Sequence, residues 1–114
     1  MRFAVILCAL LASPAAAETM TCRITAKHSC DPASGCRSIL PGVWNVLDVT
    51  RHTYARCDAR GCDTYDASFS RSGAFIVIDI PTRGMVAKVA ADRSSFLEVA
   101  TLGMTALNSF GACE

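Results

Sequence analysis

Six cysteines lie between positions 22 and 113 of this 114-residue chain, and four of them fall in close pairs, Cys30 with Cys36 and Cys57 with Cys62. An even set at short spacing in a small chain describes a disulfide framework when the chain is exported. In the stretch RCDARGCDTYD, Asp58-Ala59-Arg60-Gly61 is a turn sequence, with Gly61 free to take positive φ. The flanking cysteines then face each other across a hairpin, within disulfide range. SCDPASGC places Cys30 and Cys36 at the neck of a second loop. These local pairings leave Cys22 and Cys113, whose bond would bring the first strand beside the last.

The N-terminus supplies the export context. MRFAVILCALLASPAAAE carries Arg2, an apolar run from Phe3 to Ala12, a Ser-Pro break and small residues. This reads as a secretory signal peptide over residues 1–17, cleaved between Ala17 and Glu18, with Ala15 and Ala17 as the small-residue signature. The run is about half of what a bilayer crossing needs, so no stable membrane insertion is expected after cleavage. Cleavage removes Cys8 and Arg2, leaving ten basic against ten acidic groups on residues 18–114, a single domain. That balance gives no electrostatic ground for binding nucleic acid or an anionic membrane.

Turn clusters recur at TRH (50–52), DARG (58–61), SRSG (70–73), PTRG (81–84) and ADRSS (91–95). Such spacing predicts an all-β antiparallel meander. About eight strands are expected, near 20–28, 43–50, 53–58, 62–69, 73–80, 84–91, 95–101 and 103–110. Cys22, Ile24 and Ala26 alternate with Arg23, Thr25 and Lys27; Tyr65, Ala67 and Phe69 and then Met85, Ala87 and Val89 repeat the pattern, and Leu97 and Val99 flank Glu98. Ala74 to Ile78 is apolar on both faces, so this strand is expected to be more fully covered than its neighbours. Over 95–110 a helix competes, because Ser95 and Glu98 fit a capping box, but Thr101, Gly103 and Thr105 favour strands. Residues 29–42 read as loop. A closed or half-open barrel, stapled by disulfides, removes the exposed edges of such a meander; a small sandwich is the alternative.

The leader, the cysteines of RCDARGCDTYD, the SG-F and RGM-AK stretches and the closing EVATLG…SFGAC resemble a family of small exported bacterial proteins of unknown function. Gly42-x-Trp44 at the head of a strand is similar to the signature of lipocalin-like barrels. That resemblance implies a small apolar-ligand carrier. Trp44 itself is expected to plug one end of the barrel as a core residue.

No metal, cofactor or catalytic residue is assigned. Asp58, Asp63 and Asp66 do not follow a calcium-loop spacing, and His28 with Cys30 and Cys36 would ligate only if those thiols were reduced. His52 with Asp48 lacks a marked nucleophile. The expectation is a non-enzymatic periplasmic or secreted module that binds an envelope protein, inhibition of an enzyme among the roles, or a small ligand.

Overall fold

The computed structural model describes residues 18–114. The leader expected over residues 1–17, with Ala15, Ala17 and Cys8, lies outside the described residues. The rest of the chain forms ten strands: β1 Thr19–Asp31, β2 Gly35–Ile39, β3 Trp44–Asp48, β4 Thr53–Asp58, β5 Gly61–Asp66, β6 Ser68–Ser72, β7 Phe75–Ile80, β8 Met85–Ala90, β9 Phe96–Leu102 and β10 Thr105–Cys113. A 3₁₀ turn, Pro81–Arg83, joins β7 to β8. Among the described residues no helix is long and apolar enough to cross a membrane.

Every pairing is antiparallel, in the order β5-β4-β3-β1-β10-β9-β8-β7-β6, with β2 added on β1. The two ends of that path, β5 and β6, are separated only by Ala67, whose N–H donates to the His52 carbonyl at 2.9 Å. Residues 61–72 thus act as one bent stave, its first half bonded to β4 and its second half to β7. Counted so, the sheet is a nearly closed barrel of eight staves, matching one for one the eight expected strands. β1 lies against β10, as the Cys22–Cys113 pairing requires. Both strands of the 95–110 region are formed, so the capping-box helix is not.

Two departures have clear causes. Residues 29–42 are not all loop: β1 runs on to Asp31 and returns as β2, so Ser29–Asp31 and Gly35–Ile39 are ladder. Their polar, turn-rich composition reflects an exposed edge, short and carrying Arg37, which disfavours edge-to-edge pairing. The expected face of β1 also changes along its length. Ile24 opposes Gly111 while Ala26 opposes Phe110, so Thr25 is an inserted bulge residue. Met20, Cys22 and Ile24 point inward before it, and Lys27 and Ser29 after it.

The core is the barrel interior, with Met20, Leu47, Tyr54, Ile76, Ile78, Ile80, Met85, Val89 and Phe96 all buried. Ile76 and Ile78 face inward as the strand reading requires, but Phe75 is 49% exposed, so β7 is no more fully covered than its neighbour β8. All three disulfides form as expected: Cys22–Cys113, Cys30–Cys36 and Cys57–Cys62, with Cα separations of 3.9, 4.0 and 4.0 Å. Gly61, in the turn before Cys62, has φ +142°.

Candidate functional site

The interior is not wholly apolar. Strand register places Lys27, Ser109 and Glu98 side by side on β1, β10 and β9. On the opposite wall, register pairs Asn45 of β3 with Arg56 of β4, and Leu47 with Tyr54. The two walls meet at Glu98, which is 1% exposed. The Tyr54 hydroxyl donates to Glu98 Oε2. Arg56 Nε stands 3.7 Å from Glu98 Oε1, an ion pair rather than a hydrogen bond. An unpaired buried carboxylate would carry a large desolvation cost, and these two partners offset it.

The neighbours register that charge. The Tyr54 phenol is pushed far above its ordinary range, first by burial, then by the Glu98 charge and the hydrogen bond to it. Lys27, 8% exposed, is lowered by burial and by the Arg56 cation, with Glu98 acting in the opposite sense. Asn45 Oδ1 and Nδ2 and Ser109 Oγ are buried with no hydrogen-bond partner among the described residues. The cluster is a tethered ion pair inside a barrel.

Arg56 also lines a small pocket of about 120 Å³ at one end of the barrel, with Tyr65, Arg83 and Thr101 as its other polar walls and Leu102 and Leu107 among its apolar ones. Arg83 is delivered by the Pro81–Arg83 turn, which ends at Gly84 in the left-handed region (φ 57°, ψ 37°). The Thr101 N–H donates to the Gly84 carbonyl at 3.3 Å, tying that turn to β9. Gly84 is favoured by its φ of 57°, and a Cβ there would also come within 2.9 Å of Thr101 Oγ1, which would have to turn away. The Arg83 guanidinium carbon lies 4.9 Å from the Tyr65 ring centroid, a cation–π contact. Among the described residues Arg83 makes no ion pair.

Other residues singled out in the sequence lie elsewhere. Trp44 is not a plug: it points outward, 39% exposed, and lines an open external groove of about 620 Å³ with Thr21, Arg23 and Val43. Its alternation places Asn45 and Leu47, not Trp44, inside. A second external groove, about 320 Å³, runs beside Phe75, Leu97 and Phe110. His28 packs edge-on against Phe110, while His52 sits near Phe69 in a turn with φ 55°. Asp48 accepts from the Arg51 N–H at 2.9 Å and pairs with its guanidinium rather than with His52. Asp58, Asp63 and Asp66 are exposed. Among the described residues no group of three or more His, Cys, Asp or Glu is arranged to hold a metal ion.

Sequence reading missed the cluster because alternation there is ambiguous. Leu97 and Val99 are apolar yet outward and half-buried, while Phe96, Glu98 and Ala100 face in. The available signal was Glu98 itself, a charge inside an otherwise apolar strand. Compared with known proteins, the chain matches no family model, no curated protein and no solved structure.

Proposed function

We propose that this protein is an exported, non-enzymatic binding module that works outside the cytoplasm, in the periplasm or beyond, and meets its ligand at the end of the barrel marked by Arg56 and Arg83. The observation that carries this reading is the pair of arginines over an apolar floor, one of them without an ion-pair partner among the described residues. A lumen carrier for an apolar ligand fits less well, since the Tyr54–Glu98–Arg56 link spans the interior among tightly buried side chains. Three disulfides and the leader-like residues 1–17 support the compartment. A second reading, docking of an envelope protein, is favoured by the exposed rings of Phe75 and Phe110 beside one groove.

Cell fractionation with intact-mass measurement tests the compartment: the expected product starts at Glu18 and carries three disulfides, and a retained leader in a cytoplasmic fraction would defeat it. NMR titration of the labelled protein with small anions and with an apolar probe tests the mode. Shifts confined to Tyr65, Arg83 and Leu102 on adding anions support the barrel-end site, whereas an apolar probe moving Ile78 and Val89 would restore the carrier.

A further inference from the structure

We propose that the pocket between Arg56 and Arg83 takes a short-chain monocarboxylate, an inference that rests on the binding-module reading above. Its charge comes first. Arg56, Arg83 and the nearby Lys27 are set against two carboxylates: Glu98, which pairs with Arg56, and the exposed Asp63, the register partner of Arg56 on β5. The surplus is cationic, and Arg83 is stacked on Tyr65 rather than neutralised. A guanidinium presents a planar fork of donors that matches a carboxylate in two-point contact.

Glu98 then sets the valence. Its carboxylate already engages the Arg56 guanidinium, which leaves Arg83 as the pocket cation open to a ligand among the described residues and matches a single negative charge. The floor sets the rest of the molecule. Met85, Ala100, Leu102 and Leu107 form the apolar side of the pocket, which offers nothing to the outer oxygens of phosphate or sulfate but can cover an alkyl tail. The pocket is small, about 120 Å³, and open to solvent at its mouth. That suits a carboxylate with a tail of a few carbons.

The test is an NMR titration of the oxidised protein with acetate, propionate, butyrate, inorganic phosphate and sulfate at fixed ionic strength. The expected result is saturable shifts at Tyr65, Arg83 and Leu102, with affinity rising by up to about fourfold per added methylene. Arg83→Gln should weaken butyrate at least tenfold while leaving the rest of the spectrum unchanged. Leu102→Asn, at a site 67% exposed and so tolerant of change, should flatten the chain-length dependence and spare acetate. Phosphate or sulfate binding as well as butyrate, or equal affinity across the acid series, would overturn the carboxylate assignment and leave the barrel-end site standing. Silence from all five anions would overturn both.

Discussion

Glu98 shows how one buried charge organises its surroundings. Tyr54 donates to it and Arg56 pairs with it, so each partner's loss leaves a carboxylate less compensated. Tyr54→Phe removes a hydrogen bond to a charged acceptor and is expected to cost about 1.5–3 kcal/mol in urea unfolding. Unchanged stability would mean that Arg56 alone sustains the charge. Lys27 gives a pH-dependent counterpart. Its folded value is depressed below the ordinary 10.5, so between those values the unfolded chain binds more protons and stability rises with pH. Below the folded value the cost of the charge is present in full. Lys27→Met should therefore gain stability over the parent near neutral pH and lose that advantage towards pH of about 10.5. A constant difference across that range would show that Lys27 is not desolvated. The role of Lys27 was not visible in sequence, because it alternates as a solvent-facing residue until the bulge at Thr25 reverses its face.

At the level of strands, the bulge and its partner Gly111 act together. An added Cβ at Gly111 would lie 1.8 Å from the Arg23 carbonyl oxygen, so β1 and β10 approach this closely only because Gly111 has no side chain. Gly111→Ala must push backbone, not a flexible side chain. The expected cost is at least about 1–3 kcal/mol, read as a lower urea midpoint at unchanged slope. A neutral effect would place the bulge elsewhere. The eight staves were legible because turn residues punctuate alternating runs, and Met85, Ala87 and Val89 face the core as their spacing requires. β2 was hidden, since an edge strand needs no apolar face and Gly35–Ile39 is almost wholly exposed. A one-residue insertion leaves no mark on composition, so the inward turn of Lys27 and Ser29 could not be read from alternation. The barrel-end pocket was hidden for a different reason. Arg56, Tyr65 and Arg83 come together only through the bend at Ala67 and the closure of the sheet.

Across the whole molecule the disulfides differ in what they constrain. Cys57–Cys62 and Cys30–Cys36 span separations of 5 and 6 residues and restrict little of the unfolded chain. Cys22–Cys113 spans 91. In the chain-entropy model these are worth about 2 kcal/mol for each short loop and about 4–5 kcal/mol for the long one. Replacing Cys22 and Cys113 together by serine should therefore lower stability more than the same change at Cys57 and Cys62. The reverse order in urea unfolding would show that the β1–β10 ladder already supplies the closure. The separations were readable in sequence by elimination; that Cys22 and Cys113 would be direct register partners was not.

That long bond has a mechanical consequence. Thr21 and Glu114 exchange two backbone hydrogen bonds, at 3.1 and 2.8 Å, just outside it. Tension applied between residues 18 and 114 peels this short clamp and the rungs that tie Thr19–Thr21 to β3, and then meets a covalent stop, beyond which the meander between the two cysteines carries no force. An oxidised molecule held by these two residues would extend by only the few residues beyond the bond and then stay rigid. Reduction would turn the same tether into one that unravels stave by stave.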